Sequence, residues 1–370
     1  MSKNTDIDQS QNSPPFGGDQ GGAGEAGGAV FCFGELLLRL SPELNRQWIN
    51  DTNIPVYVGG AELNVATALA KWTVPVKYCT ALPDNYLSKE IIQDLDSKKI
   101  DTSSIHASGN RIGVYYLPQG ADLKNAGVIY DRDYSSFAEL KPGMINWDEA
   151  LKNCSWFHFS AISPALNNNA AAVCQEALES ASAKGLTISV DLNYRAKLWQ
   201  YGKQPKEVMP ELLSYCDVVM GNIWAAEQLL GVSSSIKDSK EKTKKELAEA
   251  AGQSMKQLHL AYPKLTSMAY TFRLEQNYFG ILQHGPDMAV SGEFELQNIV
   301  DKVGSGDCFM AGLIYGLYNE HSPQDIIDFA AAAAVSKMQV KGDATNQHIG
   351  DIKKFLTTHH SPLHSVERGQ

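Results

Sequence analysis

Two glycines, a serine and a carboxylate fall together in one short run, Asp301-Lys302-Val303-Gly304-Ser305-Gly306-Asp307, just ahead of a long apolar stretch. Glycines let a backbone turn tightly and approach a ligand. If a helix starts here, the N–H groups of Gly304, Ser305 and Gly306 lie unpaired at its N-terminus. That end carries a partial positive charge, which makes it an anion site. Asp307 would repel a phosphate held there. It fits if it takes the proton of an attacking hydroxyl, as a general base in phosphoryl transfer. It fits equally as an acidic residue in the first helical turn, where the dipole favours it. The motif alone leaves both readings open.

Other chemistries find little footing. There is no Walker G-x-x-x-x-G-K-[ST] run, no H-R-D or D-F-G set, and no G-x-S-x-G elbow. Gly22, Gly24 and Gly27 match G-x-G-x-x-G, but a dinucleotide fingerprint follows a strand and opens a helix. This one follows a polar tail and precedes a strand-like run. The six cysteines are scattered without a C-x-x-C pair, which suits reduced thiols and gives structural zinc no support. His158 sits inside the strand-like "WFHFS" and reads as a core histidine. His359-His360 lies in a polar C-terminal segment and looks inert.

"DKVGSGDCFMAGLIYGL" resembles the signature of the ribokinase-like (PfkB) carbohydrate kinases, Asp-Thr-x-Gly-Ala-Gly-Asp-x-Phe followed by Ala-Gly. "VGGAELNVATALA" is similar to the same family's N-terminal signature, Gly-Gly-x-x-x-Asn-x-Ala, and precedes it in the family's order. "FGELLLRLSP", "GVIYDRDYSSFA" and "VDLNYRAKLW" point to the 2-keto-3-deoxygluconate kinase branch. The resemblance covers most of residues 30 to 352. It implies that Asp307 is the catalytic base, served by the amides of Gly304, Ser305 and Gly306. It implies a sugar acid held between the main sheet and a small lid. Gly34, Gly59, Gly60 and Asn64 would face its hydroxyls, Tyr115, Tyr130 and Arg132 would come from the lid, and Asn193 and Arg195 from a strand end. Arginine is apt, since its fork pairs with a carboxylate through two hydrogen bonds. Asn222, Thr271 and Asp301, with Gly304 and Gly306, would serve the nucleotide. ATP and Mg²⁺ are the implied cofactors, a monovalent cation is a further candidate, and a homodimer paired through the lids is expected.

Three positions depart from that pattern. Leu117 stands where these kinases often carry an arginine, two positions after the lid tyrosine. Ala225 stands where an Asn-x-x-Glu motif has its glutamate, with Glu227 two residues later as a substitute. Thr271-Phe272-Arg273 replaces Thr-x-Gly in the nucleotide loop, and Arg273 could contact phosphate or solvent.

Elements must exist to position these residues. "VFCF", "VKYCTALP", "CSWFHFSAI", "LTISVDLNY", "CDVVMGN", "LTSMAYTF" and "YFGILQ" read as strands, with helical patterns between many of them. Val65, Leu69 and Trp72 fall on one face of a helix after Gly59-Gly60. Alternation of this kind predicts a parallel sheet covered on both faces. The expectation is therefore a three-layer α/β/α fold, mostly parallel, with a small β-sheet lid from segments near 36–58 and 111–140. Residues 238–260 read as a Lys/Glu-rich helix with a solvated face. Residues 1–28 hold seven of the thirty glycines and read as a disordered tail, 29–355 as the kinase domain, and 356–370 as a polar tail.

With 32 Lys+Arg against 42 Asp+Glu, the net charge of −10 argues against a nucleic-acid partner. No apolar run is long enough for a membrane span, and no basic-then-apolar start suggests secretion, so a cytoplasmic enzyme is expected. Two alternatives remain. One is a kinase for a neutral sugar such as fructose or ribose. The other is a non-catalytic sugar-binding or regulatory protein on a kinase fold.

Overall fold

The computed structural model describes residues 27–43, 48–49, 53–119 and 127–359. The first strands are β1 (Ala29–Phe33), β2 (Leu37–Leu40) and β3 (Val56–Gly59). Helix α1 (Ala61–Lys71) leads to β4 (Val76–Cys79) and β5 (Ala81–Leu82), and α2 (Tyr86–Ser97) to β6 (Ile100–Asp101) and β7 (His106–Ala107). The lid strands β8 (Gly113–Tyr116) and β9 (Ile129–Asp131) follow, then α3 (Trp147–Ala150), β10 (Cys154–Ser160), α4 (Asn168–Ala183) and β11 (Thr187–Asp191). Next come α5 (Pro205–Leu213), β12 (Val218–Gly221), α6 (Ile223–Leu230), α7 (Lys244–Ala261), β13 (Ser267–Arg273) and β14 (Asn277–His284). Then follow β15 (Asp287–Val290), β16 (Phe294–Glu295), α8 (Ser305–Tyr318), α9 (Pro323–Met338) and α10 (Ile349–His359).

The main sheet runs β15-β14-β13-β12-β11-β10-β1-β4-β6, with β16 paired to β14. From β6 to β13 every pairing is parallel, and the β13–β14–β15 edge is antiparallel. Strand alternation makes this a three-layer structure. Phe31 and Phe33 of β1 face a core filled from α3 to α7, while Val30 and Cys32 face one filled from α1, α2, α8, α9 and α10. Val65, Leu69 and Trp72 are buried together, as their spacing requires.

A second sheet, β3-β2-β8-β9, forms the lid. Its centre is the parallel pair β2–β8, flanked by antiparallel β3 and β9. Leu117 is buried in a small lid core with Leu37, Val128 and Val303.

Two sequence expectations need correction. The Lys/Glu-rich helix begins at Lys244 rather than 238, because Thr243 and Glu246 form a reciprocal cap that fixes the start. It has the expected solvated face, opposite a buried stripe of Leu247, Ala251, Met255 and Leu258. The polar tail does not begin at 356: α10 continues to His359, and Leu356 is buried against the main core. Gly22 and Gly24 lie outside the described residues. Gly28 is docked by its carbonyl, which accepts from Ser155 Oγ at 2.7 Å and Tyr318 Oη at 3.2 Å.

Candidate active site

A cavity opens between the sheet and the lid. It gathers residues from distant parts of the chain: Asn64 on α1, Tyr130 and Arg132 of the lid, Asn193 and Arg195 after β11, and Gly304 to Asp307 at the start of α8. Asn222, just after β12, and Thr271 in β13 line it too.

Gly304 caps α8 with φ +77, a conformation that L side chains avoid, and a Cβ there would meet the Asp343 carbonyl oxygen at 1.7 Å. Only glycine lets the loop turn inward this sharply. The Ser305 amide reaches back to the Lys302 carbonyl at 3.4 Å, and the Ser305 hydroxyl reaches the same oxygen at 2.9 Å. Cys308 N takes the Gly304 carbonyl at 2.8 Å. The amides of Gly304, Gly306 and Asp307 have no acceptor among the described residues. This is an anion cradle of unpaired donors at a helix N-terminus. Lys302 lines the cavity beside it, and no carboxylate pairs with its ammonium among the described residues.

Asp307 is buried and accepts Asn64 Nδ2 at 2.7 Å. Its carboxyl is pushed up to about 7. Burial is the main cause; the Asn64 bond opposes it, the Asp191 charge adds to it, and the Arg195 charge again opposes it. A carboxylate poised there can accept a proton near neutral pH. No carboxylate is within ion-pair distance of Arg195 among the described residues.

Four acidic residues on the cavity wall, Glu35, Glu62, Asp191 and Asp343, escaped the sequence reading. Glu62 on α1 accepts from the backbone N of Ser160 at 2.8 Å and from its hydroxyl at 2.6 Å. Burial pushes its carboxyl up to about 7, the Ser160 bonds hold it down, and the nearby Asp307 charge raises it further. Glu35 receives Arg132, Nε at 2.6 Å and a terminal nitrogen at 2.5 Å, and Ser135 Oγ at 2.5 Å.

Several expected ligand contacts are therefore occupied or absent. Arg132 lines the cavity, but its fork is committed to Glu35. Tyr115 also lines it, but its hydroxyl donates to Asp343 Oδ2 at 2.5 Å. Asp301 is wholly buried and paired with Arg39 at 2.5 Å, so it is a support of the loop and not a surface for nucleotide. Gly34 packs on the Glu62 carboxyl and Gly59 on Asp343, where any Cβ would collide, and neither lines the cavity. Gly60 does line it; its φ of +137 opens α1 under the Glu35 carbonyl. Glu227 does not line the cavity. Asn222 accepts Ala225 N at 2.9 Å as the cap of α6. His158 is a core histidine, bound through Nδ1 to Ser189 Oγ at 3.0 Å and held down to about 3 by burial.

The pattern of pfkB family carbohydrate kinases matches residues 29–258 and 292–349. The chain belongs to that family. It is 26% identical to a 2-dehydro-3-deoxygalactonokinase of Haloferax volcanii, over 88% of this chain and 96% of that one. It is 24% identical to a 5-dehydro-2-deoxygluconokinase of Geobacillus kaustophilus, over 88% and 92%. The crystal structure of a 2-dehydro-3-deoxygluconokinase from Thermotoga maritima superposes with a TM-score of 0.80 at 33% identity, covering 89% of this chain and 99% of that one. The fold is thus ribokinase-like, and the protein is a carbohydrate kinase.

A protein from E. coli with the same fold, 16% identical and with a TM-score of 0.68, was solved in complex with ATP and Mg²⁺. The unpaired amides of the cradle suit a nucleotide's phosphates. Among the described residues no group of three His, Cys, Asp or Glu side chains is placed to hold a metal. Mg²⁺ commonly binds through phosphates, waters and one or two carboxylates. No helix among the described residues is long and apolar enough to cross a membrane.

Proposed function

We propose that this kinase transfers the γ-phosphoryl of ATP to a hydroxyl of a 2-keto-3-deoxy sugar acid, best matched by O6 of 2-keto-3-deoxygluconate. The observation that carries the acid reading is Arg195. It is a guanidinium in the same cavity as Asp307 and Asn64, with no carboxylate partner of its own among the described residues. A substrate carboxylate would supply that partner through a two-bond pair. The three relatives named above act on keto-deoxy acids by name, which supports the same class.

In this reading Asp307 takes the proton of the attacking hydroxyl, and Asn64 holds the carboxylate in line. The free amides of Gly304, Gly306 and Asp307 stabilise the charge that spreads over the transferring phosphoryl. Bound Mg²⁺ would neutralise phosphate charge beside them. Gly60, Tyr130 and Asn193 shape the sugar end, and Asn222 and Thr271 the nucleotide end. Exposed Val56 and Ile129 on the lid strands support pairing of two chains through their lids, which sedimentation would test.

A second reading, a neutral-sugar kinase, draws on two observations. Leu117 is sealed in the lid core and Arg132 is neutralised by Glu35, so both lid positions lack a free cation. The deciding experiment is coupled ADP release with Mg-ATP and a panel of 2-keto-3-deoxygluconate, its galactonate epimer, gluconate, fructose and ribose. Turnover on the keto-deoxy acids bears the proposal out. Turnover on fructose or ribose alone overturns it in favour of the neutral-sugar kinase.

A further inference from the structure

Lys337 lies in α9 with its side chain wholly buried. An ammonium is costly to bury unless its three donors are met. Here backbone carbonyls meet them: Gly342 O at 2.6 Å, Asp301 O at 3.3 Å and Val340 O at 3.3 Å. Burial pulls the Lys337 pKa down, while the Asp301 and Asp343 charges hold it up. Those carboxylates are themselves bound to Arg39, Asp301 at 2.5 Å and Asp343 at 2.9 Å, the latter an ion pair without hydrogen-bond alignment. The cage is thus made of carbonyl oxygens around one positive charge.

Its position gives it a function. The carbonyls belong to the two segments that back the anion cradle. Asp301 begins the loop that ends at Gly304, and the turn after Val340 sets the Asp343 carbonyl against Gly304. Gly342 N also donates to Asp301 Oδ2 at 3.3 Å, and Val303 N to Asp301 Oδ1 at 3.1 Å. Remove the central charge and carbonyl dipoles converge on nothing, so the two segments move apart and the cradle loses its shape.

A ring of backbone carbonyls is the chemistry that holds a bare monovalent cation such as K⁺. The donor set behind this cradle does not fit an added cation, because a covalently attached one occupies it. We propose that Lys337 is this kinase's own monovalent cation: its ammonium fixes the 301–304 loop from behind, and the reaction needs no added K⁺. Lys337 is a positioning residue and touches no substrate. The inference rests on the kinase chemistry and not on which acid is phosphorylated.

The test compares K⁺ with choline at constant ionic strength. For the wild type, kcat and Mg-ADP affinity by calorimetry stay the same in both salts. For Lys337→Met, kcat falls by about 10–100-fold in choline, as expected when preorganised donors are misplaced, with the sugar KM little changed. K⁺ or NH₄⁺, which are similar in size, then restores much of kcat and of Mg-ADP affinity, and the smaller Li⁺ does not. Rescue by a free cation is a result that a merely structural role would not give. Strong K⁺ activation of the wild type overturns the proposal, and so does full Lys337→Met activity in choline or a defect that neither cation relieves. The wild-type comparison needs no variant, and Lys337→Gln serves if the methionine variant does not fold. Mg-ADP binding needs no sugar, so an error in the proposed substrate leaves that readout intact.

Discussion

Asn64 and Asp307, 243 residues apart in the chain, meet in a 2.7 Å hydrogen bond from Nδ2 to Oδ2. It joins the start of α1 to the start of α8, so both signature segments meet at one point of the cavity. The amide can only donate through Nδ2, and so it favours the ionised carboxylate, the form that accepts a proton. Burial pulls the other way and wins, which leaves Asp307 at about 7.

The pH profile follows. In its proposed role as base Asp307 must be ionised, so log kcat/KM should rise with unit slope up to about pH 7 and level off above it. Steady-state kinetics from pH 5 to 9 check this. A flat profile across pH 5 to 8 would remove Asp307 from the rate equation.

Glu62 makes the opposite prediction for stability. Its folded carboxyl sits at about 7 against an ordinary 4.5, so the folded state holds the proton more tightly. The resulting stabilisation is complete below pH 4.5 and is lost as pH rises through about 7. Urea unfolding of wild type and Glu62→Gln should show the wild type losing about 2–3 kcal/mol relative to the variant from pH 5 to 8. A gap that does not change with pH would mean that Glu62 is ionised throughout.

Arg195→Gln should raise KM for a keto-deoxy acid by about 10–100-fold, the worth of a charge-assisted hydrogen bond, and leave Mg-ATP binding unchanged. An analogue in which the carboxylate is replaced by a neutral group should lose little on the same substitution. Equal losses for acid and analogue would show that Arg195 does not read the carboxylate.

Gly304→Ala should fold less well and cut kcat by at least about 100-fold, because the new methyl must displace the Asp343 carbonyl and drag the cradle with it. Ser305→Ala removes only a bond to the Lys302 carbonyl and should do far less. Kinetics of the pair separate the backbone requirement from the side chain.

Local patterns made the scaffold readable in advance. The continuous apolar run of β1, the α1 stripe of Val65, Leu69 and Trp72, and the glycines before α8 are all short-range signals that packing then obeyed. What stayed hidden was pairing at a distance. Asp301 leads the α8 motif and looks like part of the ligand surface, yet it is buried against Arg39, 262 residues away. Arg132 sits among the acidic residues of "YDRD", yet its fork goes to Glu35, 97 residues back. A charged side chain carries no local mark of which distant partner will neutralise it. Lys337 was equally silent, since one lysine near the end of an alanine-rich helix gives no hint of total burial.

The most direct measurement is ADP formation by Asp307→Asn and wild type with saturating Mg-ATP and 2-keto-3-deoxygluconate, with ligand affinities taken by calorimetry. Asparagine keeps the shape and cannot take the proton. The predicted result is a fall in kcat of about 100–10,000-fold, the worth of a general base, with both affinities retained. Full turnover by the variant would contradict the assignment of Asp307 as the base.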